Sequence, residues 1–241
     1  MGRLLLIRHA QASFLEQNYD KLSALGETQA RRLGQYWARQ KIVFDGVCSG
    51  PRVRHKETAK IVAAAYRDAG VSFPEPMVIP EFDEYQAEAV VKQGLPRLVE
   101  SDSQIRELHR EYQNSITPEQ RLANFEKMFE MLITKWVDGE LVLPAVESWP
   151  EFCARVDRGL SQLMSASGRG KQLAIFGSAG LIGVAMSRAL RLSSQDTLRI
   201  TWMIRNSSFS EFLFSNINER FTLSTFNAYP HLDDVSLLTH R

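Results

Sequence analysis

Three short motifs place chemistry-bearing residues directly after apolar runs. Arg8-His9 follows Leu4-Leu5-Leu6-Ile7, the stretch Ser49 to Arg54 follows Val43 to Cys48, and Gly177-Ser178-Ala179-Gly180 follows Leu173 to Phe176. The unbroken run Leu4 to Ile7 reads as a buried strand covered on both faces, and Val43 to Cys48 and Leu173 to Phe176 read as further buried strands. In open α/β sheets ligands bind beyond the C-terminal ends of the strands, so these three motifs can face one crevice. A phosphoryl group carries three strong acceptor oxygens and nearly two negative charges. Arginine matches it with a permanently charged, bidentate fork, and Arg8 and Arg54 offer that. A neutral imidazole at a strand end, such as His9, can attack phosphorus and become a covalent intermediate if its other nitrogen is oriented.

The elements that must position these residues follow from periodicity. Leu25, Gln29, Leu33 and Trp37 keep helical spacing behind Ser23, an N-cap residue type. Thr58, Ile61, Val62, Ala65 and Tyr66 share one face of a helix over 53–69, which Gly70 closes. Pro74, Pro76 and Pro80 bracket a short strand around Met77 to Ile79. From Phe82 to Pro144 there are helical patterns, Ile105 to Tyr112 and Leu122 to Trp136, but no clear strand. Ser148-Trp149-Pro150-Glu151 is a helix start with a capping box, and that helix runs to about Met164. A helix over 181–190 follows the Gly177–Gly180 turn. Phe209 to Phe214 and Phe221 to Phe226 are aromatic-rich strands. Strands alternating with helices predict a three-layer α/β/α fold, with a mainly parallel central sheet and a helical insertion at 82–144.

Composition narrows the function classes. The chain has 241 residues, 44% hydrophobic and 24% charged, which is ordinary globular usage. A chain this long buries about 70% of its unfolded surface and needs no staples. Its two cysteines, Cys48 and Cys153, form no metal-ligand spacing, and Cys48 reads as packing. With 29 basic against 28 acidic residues, a nucleic-acid surface or a polybasic membrane patch is not expected. No stretch approaches the roughly 20 apolar residues of a membrane helix, and the N-terminal apolar run is too short for a signal peptide. These features point to a cytoplasmic protein. Neither a carboxylate–histidine cluster with ligand spacing nor a nucleotide loop is present, so no metal or cofactor is expected.

The motifs resemble those of the histidine phosphatase (phosphoglycerate-mutase-like) superfamily. LLLIRHAQASF is similar to the family's first motif, a strand ending in Arg-His-Gly, and LSALGETQARRLGQYW to its next segment. CSGPRVRHKETAKIV resembles the Ser-x-x-x-x-Arg-x-x-x-Thr-Ala stretch, and ESWPEFCARV the helix before the late strand. The resemblance runs from Leu4 to about Leu190 and is thinnest between Tyr85 and Pro144. It implies one domain over 1–241 with 82–144 as a helical cap. It also implies His9 as a nucleophile that becomes phosphohistidine, Arg8 and Arg54 as phosphoryl-binding residues, and Glu84 as the acid that protonates the leaving group. Glu81, three residues earlier, competes for that last role. By the same resemblance Gln11, Ser13, Ser178 and Asn206 would line the pocket for a small phosphorylated substrate or phosphate.

Two departures stand out. Ala10 replaces the glycine of the first motif. The late Ser-His-Gly-Gly motif reads Gly177-Ser178-Ala179-Gly180, so the second family histidine maps onto Ser178. Serine donates a hydrogen bond but is shorter and uncharged. Losing one oxyanion-type donor slows catalysis by about 10²–10³-fold, against total accelerations of about 10⁶-fold or more. The sequence therefore admits a metal-independent phosphomonoesterase with weakened turnover, or a phospholigand-binding pseudophosphatase that no longer hydrolyses. Nothing speaks for the phosphoryl retention a mutase requires. His55 and His109 sit in charged helical stretches and are expected to be solvated. His231 is expected to pack the C-terminal tail.

Overall fold

The computed structural model describes residues 1–13, 20–215 and 220–240. Six strands form one sheet: β1 (Gly2–Arg8), β2 (Gly46–Ser49), β3 (Met77–Val78), β4 (Gln172–Gly177), β5 (Phe209–Ser215) and β6 (Arg220–Ala228), in the order β3-β2-β4-β1-β5-β6. β1–β4, β2–β4 and β2–β3 are parallel, whereas β5 is antiparallel to β1 and to β6. The helices are α1 (Ala24–Arg39), α2 (Val53–Asp68), α3 (Ala87–Ser101), α4 (Ser103–Gln113), α5 (Pro118–Val137), α6 (Trp149–Ser167), α7 (Ala179–Leu190) and α8 (Ser194–Met203).

Neighbouring strand residues point to opposite faces, yet Leu4, Leu5, Leu6 and Ile7 are each at most 2% exposed. Both faces of the central strand are therefore covered, as its unbroken apolar run requires. On one face Leu5, Ile7, Val47, Ala174 and Phe176 pack with Leu33 and Trp37 of α1 and with Ala59, Val62 and Tyr66 of α2. On the other, α7 lies along β1 and β6. Ser23 caps α1 by accepting from Gly26 N at 3.0 Å. Ser148 and Glu151 form the capping box of α6, with Ser148 N donating to Glu151 Oε2 at 2.8 Å.

The chain divides into two compact units. The first comprises Met1–Glu84 and Arg155–Arg241, the second Tyr85–Ala154. The first holds the whole sheet. The second holds α3, α4, α5 and the first residues of α6, around an aromatic cluster in which Tyr85 stacks on Trp136 and meets Trp149 and Phe152 edge-on. Asp102 ends α3 and caps α4, accepting from Gln104 N and Ile105 N, and pairs with Lys135 of α5 at 2.9 Å.

Two expected element starts shift, and two helices are added. The second strand begins at Gly46 rather than Val43, which is exposed. The helix after the glycine turn begins at Ala179 rather than Leu181. α3 and α8 have no counterpart in the sequence reading. Among the described residues, no helix is long and apolar enough to cross a membrane.

Candidate active site

The parallel pairing of β1, β2 and β4 brings their C-terminal ends to one edge of the sheet. Arg8 lies opposite Gly177, and Ser49 opposite Phe176. The three motifs that follow these strands are thereby gathered in the first unit. α2 starts at Val53, so Arg54 and His55 occupy its first turn, and α7 starts one residue after Ser178. Helix N-termini carry partial positive charge and suit anions.

His9 is 5% exposed and is held through its backbone on both sides. Its N–H donates to Gly177 O at 2.7 Å. Its carbonyl accepts from Ser207 N at 3.2 Å and from Asn206 Nδ2 at 3.3 Å. Ser207 adopts a left-handed conformation (φ 61°), uncommon for a residue with a side chain, and this loop aims two donors at one carbonyl. The next residue is pinned as well: Ala10 N donates to Thr58 Oγ1 at 3.1 Å, and that hydroxyl donates to Arg54 O at 2.7 Å.

The ring's tautomer follows from its partners. His9 Nδ1 lies 2.8 Å from Ala10 O. A carbonyl only accepts, so Nδ1 carries the proton and Nε2 carries the lone pair. Arg54 Nε donates to that Nε2 at 3.2 Å. Burial, then the charges of Arg54 and Arg8 and the proximity of His55, hold the His9 pKa well below its ordinary value. The imidazole is therefore neutral at neutral pH, the form a nucleophile needs.

Both arginines are buried. Arg8 Nη1 donates to Ile204 O. Arg54 Nη1 pairs with Asp20 Oδ1 at 2.7 Å, and Asp20 Oδ2 accepts from Val53 N at 2.9 Å, anchoring the start of α2. Glu84 Oε2 accepts from Gly180 N at 3.2 Å, at the N-terminus of α7. Glu81 is directed elsewhere: a β-carbon on Gly159 of α6 would lie 2.7 Å from Glu81 Cβ. Beside Glu84, Arg52 pairs with Asp83.

The remaining predicted residues divide into two groups. Asn206 and Ser178 are buried at the site. Gln11 and Ser13 hydrogen-bond within the segment leading to α1: Gln11 Oε1 accepts from Ser23 Oγ at 2.8 Å, and Ser13 Oγ donates to Leu22 O at 3.3 Å. His231 is buried, with Nε2 3.0 Å from Ser207 Oγ.

His55 lies inside the protein rather than at its surface. Expected in solvent among charged neighbours, it is 0% exposed. Its Nε2 lies 2.5 Å from Ser178 Oγ, and its ring centroid is 5.7 Å from that of His9. It sits one residue after Arg54, so it enters the site on the same helical turn. Asp20 and Thr58 are the other contributors that residue types alone did not single out. The signal available for Thr58 was its place on the buried face of α2. For Asp20 there was none.

A family model described as "Histidine phosphatase superfamily (branch 1)" matches residues 4–87 and 84–228. Among curated proteins, no sequence matches the chain significantly. Solved structures with the same fold include a phosphoserine phosphatase from Entamoeba histolytica in complex with 3-phosphoglyceric acid. It is 18% identical, with a TM-score of 0.62, 96% of this chain covered and 100% of that one. An α-ribazole phosphatase from Shigella flexneri is 16% identical (TM-score 0.61; 94% and 96% covered). A phosphoglycerate mutase from Bacillus anthracis is 15% identical (TM-score 0.58; 95% and 94% covered). At these identities the likeness is one of fold.

Proposed function

The chain belongs to the histidine phosphatase superfamily, and on that ground we propose that it is a phosphomonoester phosphatase acting through a phosphohistidine at His9. The observation that carries this reading is the His9 side chain itself. It is a buried, neutral imidazole whose Nδ1 proton is committed to Ala10 O, leaving Nε2 as the attacking atom, with Arg54 Nε in contact with it and the Arg8 charge nearby. Arg8 and Arg54 take the phosphoryl oxygens and spread the charge that builds on them. His9 Nε2 forms the P–N bond as the ester P–O bond breaks. Glu84 would deliver a proton to the leaving oxygen and then take one from the water that cleaves the P–N bond and releases phosphate. Position favours Glu84 over Glu81: Glu84 Oε2 lies at the start of α7, two residues from Ser178, whereas Glu81 packs at Gly159 of α6. Substrates are small phosphorylated molecules, in line with the phosphatases that share the fold.

The test is mass spectrometry for acid-labile phosphate on His9 after incubation with p-nitrophenyl phosphate or phosphoramidate, with His9→Ala as control. Label on His9 and turnover, both absent in the variant, support the reading. No label and no turnover across varied donors would sink it. Ser178 favours a second reading, a phospholigand-binding protein without turnover. Phosphate or vanadate binding that Arg54→Ala abolishes, with no hydrolysis of any ester, would select it.

A further inference from the structure

Ser178 occupies the N-cap position of α7, yet its hydroxyl does not cap that helix. Serine at such a position normally accepts from the helix's own N–H groups and stabilises it. Here the hydroxyl oxygen lies instead 2.5 Å from His55 Nε2. Both side chains are buried, and Ser178 follows Gly177, whose carbonyl accepts from His9 N at 2.7 Å. The other ring nitrogen, His55 Nδ1, faces Gly50, where a β-carbon would come within 2.4 Å of it, and it has no hydrogen-bond partner among the described residues. A buried N–H without an acceptor is costlier than an unshared lone pair. The proton therefore resides on Nε2, and Ser178 Oγ accepts it. The hydroxyl's own proton is left to give away.

We propose that Ser178 and His55 work as one composite donor: His55 Nε2–H holds the serine oxygen, and the Ser178 hydroxyl donates to an oxygen of the phosphoryl group bound at His9. Ser178 is then a catalytic residue and His55 its positioning residue. His55 cannot serve the phosphoryl group directly, because its two nitrogens are directed at Ser178 and Gly50. Burial, followed by the nearby charges of Arg54, Arg52 and Lys56, keeps its ring neutral, so the serine is polarised without a second buried charge. This inference rests on the phosphohistidine reading.

The experiment titrates orthovanadate by calorimetry and measures p-nitrophenyl phosphate turnover on the full chain, for the wild type, S178A, H55M, H55Q and the H55M/S178A double variant. Gln keeps an N–H donor where Nε2 lies, and Met has nearly the same shape without one. S178A and H55M are each expected to weaken vanadate binding about 10- to 100-fold, the worth of one hydrogen bond to a charged group, and to lower kcat more than they raise KM. The double variant is expected to be no weaker than S178A, because the two residues act in series. H55Q stays close to the wild type. If H55M does not fold, H55N, whose amide replaces Nδ1 rather than Nε2, takes its place. Losses that multiply in the double variant, or H55Q as weak as H55M, would overturn the pair. Vanadate binding with a non-additive cycle but no turnover leaves the pair standing and removes the phosphatase reading. Turnover with multiplying losses does the reverse, and a wild type that binds no vanadate removes both.

Discussion

Arg54 Nε donates to His9 Nε2 at 3.2 Å, so the guanidinium rests on the one imidazole nitrogen that carries a lone pair. The contact depends on two independent anchors. Asp20 holds Arg54 Nη1 at 2.7 Å and the backbone of Val53 at 2.9 Å, while Thr58 ties the α2 backbone to Ala10. The strand end and the helix start are thereby fixed to each other before any ligand arrives.

Replacing Arg54 separates its two duties. Arg54→Lys keeps a charge but loses the fork that fits two phosphoryl oxygens. Each charge-assisted hydrogen bond contributes about 1.5–3 kcal/mol, so Arg54→Lys and Arg54→Ala should weaken phosphate binding at least about tenfold, with Arg54→Ala the worse of the two. Calorimetry with inorganic phosphate checks this. Equal affinity in Arg54→Ala and the wild type would remove Arg54 from the phosphate site.

Glu84→Gln would remove the proposed proton donor without altering shape. General acid catalysis contributes about 10²–10⁴-fold. The fall in kcat should have that size for alkyl phosphates, whose leaving oxygen needs a proton, and be much smaller for p-nitrophenyl phosphate. Glu81→Gln should stay near the wild type, since its side chain packs at Gly159. Steady-state kinetics on the two ester types decides it, and a Glu81→Gln defect with a normal Glu84→Gln would reverse the assignment.

The sheet was readable because β1 and β4 are unbroken apolar runs, β5 and β6 are aromatic-rich segments, and prolines bracket β3. α3 and α8 were not, for a physical reason. The buried positions of α8 are Thr197, Leu198 and Thr201, so its inward face is mostly polar. Those of α3 are Val90, Gly94 and Leu98, with Pro96 interrupting the helical pattern. Arg8-His9 and Arg54 were visible as a polar pair directly after an apolar strand and as a spaced arginine. His55 was not, because Arg52, Arg54 and Lys56 surround it and make a solvated stretch the natural expectation. What buries it is the glycine at position 50 and the serine at 178, which adjoin it only once β2 and β4 pair.

Acid should destabilise the fold through its histidines. Burial, with the Arg54 and Arg8 charges and His55 adding to it, lowers the His9 pKa well below 6.5; burial lowers that of His55 likewise and takes that of His231 down to about 3. The native state keeps these rings neutral while the unfolded chain protonates them near pH 6.5. Stability is therefore complete above that pH and is lost as the pH falls below it, by on the order of 1.4 kcal/mol per pH unit for each histidine. A free carboxylate titrates at about pH 4, so the interval from about pH 5 to 6.5 reports mainly on the histidines. Unfolding free energies from urea titrations should drop across it, and His231→Gln should flatten the slope by about one proton. An unchanged slope in that variant would contradict the buried, neutral His231.

Gly50→Ala tests the packing that fixes His55. The new β-carbon would lie 2.4 Å from both the Phe82 carbonyl oxygen and His55 Nδ1. A flexible side-chain tip could give way, but the Phe82 carbonyl is backbone, in a 3-10 turn over Pro80–Phe82 that leads directly to Glu84. Overpacking of this kind costs about 1–3 kcal/mol, which should appear as a lowered denaturation midpoint with an unchanged m-value. Because the ring must yield along with the backbone, turnover and vanadate affinity should fall beyond what the lost stability explains when measured well below the melting temperature. A Gly50→Ala protein as stable and as active as the wild type would show that neither the Phe82 peptide nor the His55 ring is held where the structure places it.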